Sequence, residues 1–362
     1  MTMKYLNTVI TGTGSYTPKK IVKNEAFLKQ DFFSEDQKII PETGEDIIKK
    51  FNAITGIEER RYADSNMNTS DIAGFAAEKA IEDAGIDKET IDYIILAHNF
   101  GDVHSGNIQS DLLPNISSRV KHYLKIKNPN CIAYDILFGC PGWVQAFIQA
   151  HSYINSGMAK RILIVGAETL SRVNDKYDRD SMIFADGAGA AVIEAQESNE
   201  KNGFISFSVR TDTYEEAFYL FAGKSNNPYV DQNVRYIKMH GRKIYEYALT
   251  KVPQAMKDAL DNSGYKITDL KKVIIHQANE KMDDAIIKRF YKLFGIIQKE
   301  IPEGIMPMSI NKLGNSSVAT IPTLYDDILK GRYPEHKISK GDLIMFASVG
   351  SGMNINSIIY KL

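Results

Sequence analysis

Apolar positions along the chain follow two rhythms. Short runs rich in Val and Ile alternate with longer stretches in which apolar residues recur every three or four positions. Residues 80–99, AIEDAGIDKETIDYIILAHN, show the unit: a helical stretch, a stop at Gly85, a polar link, then IIL. Residues 259–279, ALDNSGYKITDLKKVIIHQAN, repeat it with Gly264 and VII. Each glycine is a natural helix C-cap. Gly85 and Gly264 lie 179 positions apart, as do Ile91 and Leu270. A second pair, AKRILIVGAE from Ala159 and KGDLIMFASVG from Lys340, aligns at an offset of 181 when Ile162 is set against Leu343. Both offsets are near half of the 362 residues. That period is too long for a solenoid, and the coincidence favours two similar α/β halves over chance recurrence. Strands apolar on both faces fit sheets covered by helices. The boundary is expected in AAVIEAQESNEKNGF, where the strand ending at Glu194 gives way to a charged turn, giving halves 1–198 and 199–362. Segments 29–50 and 211–237 lack clean periodicity, and the second, rich in Tyr, Phe and Asn, suits a flap or cover loop.

Between two apolar runs the chain turns a corner at DILFGCPGW, residues 135–143. CIAYDILF, residues 131–138, reads as a buried strand, and PGWVQAFIQAHSYINSG as a helix ending at Gly157. Pro141 suits a first helical position, where no backbone donor is needed. The helix is apolar all round, so it is buried and its N-terminus lies inside the protein. Cys140 at that N-terminus would be stabilised as thiolate by free N–H groups and the helix dipole. A small buried apolar residue is the competing reading, and the corner alone does not choose. Cys131, mid-strand, reads as packing.

Two further turns bear on the choice. His276 follows Val273, Ile274 and Ile275, at a strand end, where α/β folds place ligands. Its counterpart at the 179 offset is Ala97, and Asn279 follows three residues on. A hydrogen-bonded structural histidine is the alternative. Gly314, Asn315, Ser316 and Ser317 precede an apolar helix ending at Gly331. Asn and Ser are ordinary N-caps, but this turn falls near the counterpart of the Cys140 corner. Two halves packed about a pseudo-twofold axis would aim both helix tips at one centre.

Composition narrows the partners. The chain is 43% hydrophobic and 25% charged, with a net charge of −1, which offers no nucleic-acid or anionic-membrane signature. Two cysteines argue against a disulfide framework and for a reducing compartment. The N-terminus, MTMKYLNTVITG, has no long apolar stretch, so neither a signal peptide nor a membrane span is expected and the location reads as cytoplasmic. No clustered ligand spacing suggests a metal.

With these residues in view, the sequence resembles the thiolase superfamily and, more narrowly, β-ketoacyl-acyl-carrier-protein synthase III. The motifs are GTGSYTP (12–18), TGIEER (55–60), the Cys140 corner, DRDSMIFADGAGAAVIE (178–194), HQAN (276–279), GNSS (314–317) and GSG (350–352). They span nearly the whole chain and are specific as an ordered set. The resemblance implies a duplicated five-layered α-β-α-β-α fold, a homodimer, and no cofactor beyond coenzyme A or acyl-carrier-protein thioesters as substrates. It makes Cys140 the acylated nucleophile and His276 and Asn315 its partners in a Cys-His-Asn triad. Backbone N–H groups of Cys140 and Ser351 would form the oxyanion hole. The implied reaction loads an acyl group on Cys140, decarboxylates a malonyl thioester and forms a carbon–carbon bond, giving a 3-oxoacyl carrier thioester.

Departures from the family pattern fall on the substrate-binding rim. Lys50 and Ile54 stand where the family carries a tryptophan and an arginine for the adenine end of coenzyme A. Arg179 matches a family arginine near the same group, Asn279 is grouped with it as a binding residue, and Lys281 replaces an arginine linked to carrier-protein docking. An acyl donor delivered on a carrier protein is therefore expected. Leu113 takes the place of a Phe that a partner subunit lends to the acyl pocket. Head-to-head condensing relatives use a carboxylate from that region, where DLLP offers Asp111. The competing activities are an acyltransferase or a specialised ketosynthase of alkylresorcinol or aryl polyene type; a non-catalytic partner subunit is disfavoured because Cys140, His276 and Asn315 are all present.

Overall fold

The computed structural model describes residues 4–362. The first half contributes β1 (Tyr5–Tyr16), β2 (Lys20–Lys23), α1 (Gly44–Thr55), β3 (Glu59–Tyr62), α2 (Thr69–Ala84), β4 (Tyr93–Ala97), α3 (Ile116–Tyr123), β5 (Ile132–Ile136), α4 (Gly142–Asn155), β6 (Arg161–Thr169) and β7 (Asp186–Ser198). The second contributes β8 (Gly203–Thr211), β9 (Leu220–Gly223), β10 (Tyr236–Met239), α5 (Gly241–Ser263), β11 (Leu270–Ile275), α6 (Glu280–Lys292), α7 (Ile310–Leu313), α8 (Thr320–Leu329), β12 (Leu343–Gly350) and β13 (Asn354–Lys361). One sheet runs β1-β7-β6-β4-β5 and the other β8-β13-β12-β11. The second order repeats the first without the strand matching β5. In both, the pair β4–β6 or β11–β12 is parallel and the next two pairings are antiparallel.

Helices cover the sheets in five layers. α2 and α3 pack on the outer face of the first sheet through Ala73, Ala76, Ala77, Ala80 and Val120. α5 and α6 cover the outer face of the second through Val252, Ala255, Met256 and Phe290. α4 and α8 lie between the sheets, sharing one core in which Trp143, Phe147 and Leu324 meet Ile95, Ile164, Ile274 and Phe346. The alanines of α2 permit a close approach: a Cβ on Gly12 or Gly14 of β1 would stand 2.4 Å from the α2 backbone. Gly85 and Gly264 end α2 and α5 in the left-handed conformation, as the repeated stop signal requires.

Several local expectations need correction. The run 131–138 is not a buried strand: β5 is shorter, lies at the sheet edge and is half-exposed, with Ile132 48% and Leu137 63% accessible. An edge strand and a central one share the same apolar composition, so periodicity does not tell them apart. Residues 211–237 hold β9 and the start of β10, which pair as a hairpin, and α1 starts inside the segment read as irregular. Pro141 is the N-cap of α4, one position before the helix. The pairing of Ile162 with Leu343 is one residue out. Ile162 and Ile344 both face the central helices, whereas Leu343 faces α5 and α6. Such a slip reverses every facing along a strand.

Candidate active site

Cys140 sits where β5 has ended and α4 begins. The turn is tight on all sides. Gly139 has φ of +67°, and a Cβ there would come within 2.7 Å of Ser351 N. A Cβ on Gly350 would stand 2.4 Å from Cys140 N. The 139–140 turn and the 350–351 turn after β12 are therefore in backbone contact, which only glycines allow. Ser351, half-buried, has its carbonyl held by Asn354 Nδ2 at 2.8 Å.

His276 begins where β11 ends, and its N–H donates to Ala347 O of β12 at 2.8 Å. Gln277 anchors the neighbouring chain: its Nε2 donates to Pro307 O, and its Oε1 accepts from Ser309 N at 2.8 Å. Asn279 caps α6, its side chain accepting from Met282 N at 3.0 Å. The Asn315 turn is strapped to the segment leading into β7, with Asn315 N donating to Ile183 O and Asn315 O accepting from Ala185 N. Asn315 Oδ1 accepts from Ser317 N at 2.8 Å, and Ser317 Oγ donates to Cys140 Sγ at 3.2 Å.

Cys140, His276 and Asn315 line one cavity of about 620 Å³. Its outer walls are apolar, with Ile47, Phe51, Ile54, Ile244 and Met282, and Lys50, Arg179 and Asn279 also face it. Lys50 Nζ reaches Glu42 at 3.2 Å. Cys140 also borders a second cavity of about 430 Å³, where Phe100, Phe138, Leu170, Phe184 and Phe221 surround Ser317 and Ser351. Leu220 and Phe221 of β9 and Ile237 and Met239 of β10 face these cavities, so the 211–237 segment covers the site.

Burial sets the charge states. It pushes the Cys140 thiol up to about 11; the Ser317 hydroxyl works downward and Glu168 upward. Resting Cys140 is a thiol, contrary to the thiolate expected at a helix tip, because desolvation outweighs the free N–H groups here. Burial holds His276 down to about 4, the Ser317 backbone working the other way. The imidazole is thus neutral at pH 7, and its Nδ1 has no partner among the described residues. A neutral imidazole has one donor and one acceptor nitrogen. The arrangement can take a proton from sulfur and can donate to a forming oxyanion.

Other expected residues lie elsewhere. Leu113 is 89% exposed and borders neither cavity within one chain. It stands on a surface loop that Arg119 ties down through Asp111 at 2.7 Å, so Asp111 is already paired. Lys281 is exposed on the first turn of α6, outside the cavity wall. Cys131 is buried, its thiol pushed up to about 11 by desolvation, as packing requires. The sequence offers Ser317 only as part of a helix-capping turn and does not single out Asn99 or Glu168. An acid inside the apolar strand β6 was the available signal. No helix among the described residues is long and apolar enough to cross a membrane, and no group of three or more His, Cys, Asp or Glu is placed to hold a metal.

Residues 134–213 match the family model for 3-oxoacyl-[acyl-carrier-protein (ACP)] synthase III, and residues 260–362 match its C-terminal model. The chain is 31% identical over 350 residues to beta-ketoacyl-[acyl-carrier-protein] synthase III of Erythrobacter litoralis, covering 96% of this chain and 97% of that one. It is 32% identical over 358 residues to the Ruegeria pomeroyi protein of the same name, covering 98% of each. The crystal structure of 3-oxoacyl-[acyl-carrier-protein] synthase III from Aquifex aeolicus superposes with a TM-score of 0.79 at 29% identity, over 98% of this chain and 100% of that one. Full-length identity, two matched family models and a shared duplicated fold agree: this chain belongs to the 3-oxoacyl-ACP synthase III family of condensing enzymes.

Proposed function

We propose that the chain is a decarboxylating 3-oxoacyl-ACP synthase in which Cys140 carries the acyl group. The observation that carries this reading is the meeting of Cys140, His276 and Asn315 on one cavity, from three separate turns. Loading starts with neutral partners: His276 accepts the thiol proton as sulfur attacks the donor thioester. The N–H groups of Cys140 and Ser351 face the oxygen of the tetrahedral intermediate. The acyl chain then occupies the aromatic cavity, and the donor thiol leaves through the larger one. A malonyl thioester follows by the same route. Loss of carbon dioxide leaves an enolate, whose oxygen is met by the imidazole N–H of His276 and the amide of Asn315. The enolate carbon attacks the acyl thioester and frees Cys140.

Arg179 and Asn279 on the larger cavity and Lys281 outside it are assigned to the phosphopantetheine arm and the acyl carrier protein. Delivery on a carrier, rather than on coenzyme A, is supported at the rim by Lys50, which offers no ring to stack on adenine and is held by Glu42, and by Ile54, which brings no guanidinium. Leu113 is assigned to the acyl pocket of a second subunit in a homodimer, which accounts for so exposed an apolar side chain. The cytoplasm is the fitting compartment, and the unit boundary is placed between 198 and 199. Intact-protein mass spectrometry with a panel of acyl thioesters tests the reading. Acyl adducts should form on the wild type and be absent from Cys140→Ala, with carrier thioesters loading faster than the coenzyme A ones. Adducts on Cys140→Ala would refute the nucleophile, and equal rates would refute the carrier preference.

A further inference from the structure

Ser317 stands between the nucleophile and a buried acid. Its φ is +52°, in the left-handed region that side chains with a Cβ adopt at a cost. The bond from Ser317 N to Asn315 Oδ1 holds it there. The strained turn directs Ser317 Oγ to 3.2 Å from Cys140 Sγ. Asn99, two residues beyond β4, brings Nδ2 within 3.0 Å of the same hydroxyl and also donates to Glu168 Oε1. An amide nitrogen donates only, so Ser317 Oγ is the acceptor in that contact. The hydroxyl's own proton is left for sulfur. Glu168 Oε1 accepts from Asn99 Nδ2, and its carboxyl also faces the Asn99 backbone N–H; burial raises this carboxyl well above the ordinary range, and the carbonyl oxygen of the neutral acid still accepts. Glu168 is 1% exposed. Gly166, on the same strand, seats the whole turn: a Cβ there would stand 2.4 Å from Val318 O.

We propose that Ser317 is a catalytic residue, donating a hydrogen bond to the Cys140 sulfur as the thiol loses its proton, and that Asn99 and Glu168 are positioning residues that keep the hydroxyl pointed that way. The proposal rests on Cys140 being the acylated nucleophile. In loading, the Cys140 proton moves to His276, sulfur bonds to the acyl carbon, and the carbon–sulfur bond to the donor breaks. The donor thiolate takes the proton back from the imidazolium. Ser317 keeps its own proton throughout. Its bond strengthens while charge gathers on sulfur and weakens once sulfur is acylated, so its effect falls on loading more than on decarboxylation.

The test is the rate of Cys140 alkylation by iodoacetamide at about pH 8 in the full-length protein, read by intact mass, beside the loading rate from an acyl thioester. Ser317→Ala should slow both alkylation and loading about 10- to 100-fold, the usual weight of a hydrogen bond to a charged group. Ser317→Gly accepts the positive φ without strain and should slow both equally while melting no earlier than the wild type. Asn99→Ala leaves the hydroxyl in place but free to rotate, and should slow both by less. Wild-type alkylation and loading rates in Ser317→Gly would overturn the proposal, as would a loss in Ser317→Ala that Ser317→Gly does not share. If the wild type itself takes no acyl group on Cys140, the nucleophile assignment has failed instead.

Discussion

At matching strand ends the two halves carry different side chains, Ala97 after Ile95 and His276 after Ile274. Ile95 and Ile274 both face the central helices, and the residue two further along a strand faces the same way. In the first half that place is a seat. A Cβ on Gly142, at the tip of α4, would come 2.8 Å from Ala97 Cβ, and Gly166 beside it takes the turn before α8 just as closely. Small residues on the first sheet let both helix tips settle onto it. In the second half the place holds an imidazole, and Gly350 supplies the close contact with Cys140. One copy of the repeat has become the support and the other the source of a reactive group. A duplicated fold thus builds an asymmetric site without new elements, by exchanging side-chain size at equivalent positions.

The comparison can be broken at each of these places. The largest effect is expected at the glycine contact. Gly350→Ala puts a Cβ against Cys140 N, so the Cys140 turn must move. Displacement of this order costs about 100-fold in rate, and acyl loading should fall accordingly while circular dichroism stays native. Next comes the seat. Ala97→Leu overfills the space under α4 and should cost about 1–3 kcal/mol in denaturant unfolding, with loading reduced as the tip lifts.

A smaller effect, of opposite sign, is expected from Asp283. It is fully buried on α6 beside Met282, Ile286 and Ile287, and neither carboxyl oxygen has a partner among the described residues. Burial raises its carboxyl well above the ordinary range, the Asn279 backbone working weakly the other way. Asp283→Val should stabilise the protein by about 1–2 kcal/mol. Because the folded-state value lies above the unfolded one, the native protein loses stability as pH rises above about 4. The gain from Asp283→Val, measured in urea, should therefore be greater at pH 7 than at pH 4.

The pH slope separates the two groups. His276, held down to about 4 when folded, contributes stability that is complete above about 6.5 and lost as pH falls toward 4. The two slopes oppose each other between pH 4 and 6.5. His276→Asn should remove the histidine part and leave a protein whose stability falls more steeply with rising pH across that window. An unchanged slope would show that His276 is not buried as described.

Much of this architecture was legible in the chain. Gly85 and Gly264 mark the repeat because only a left-handed residue closes those helices. The apolar girdle of α4 implied that Cys140 points inward, and the strand before His276 placed the imidazole at a sheet end. What stayed hidden depends on neighbours that no local pattern encodes. Ser317, Asn99 and Glu168 lie on three segments, and their significance is a shared set of hydrogen bonds. The thiol's protonation also follows from burial, which the helix-tip position alone does not report. β5 looks central in composition but has a neighbour on one side only. Leu113 was expected at the acyl pocket from the resemblance, yet within one chain its side chain is exposed.

The central claim is that His276 and Asn315 act on the second thioester at the sulfur that Cys140 presents. Single-turnover release of labelled carbon dioxide from a malonyl thioester, by enzyme already acylated on Cys140, tests it most directly. Wild type should release one carbon dioxide for each 3-oxoacyl product. Acylated His276→Ala and Asn315→Ala should release it about 10²- to 10³-fold more slowly, the usual cost of removing one donor from an oxyanion site. Release at the wild-type rate from either acylated variant would contradict the account.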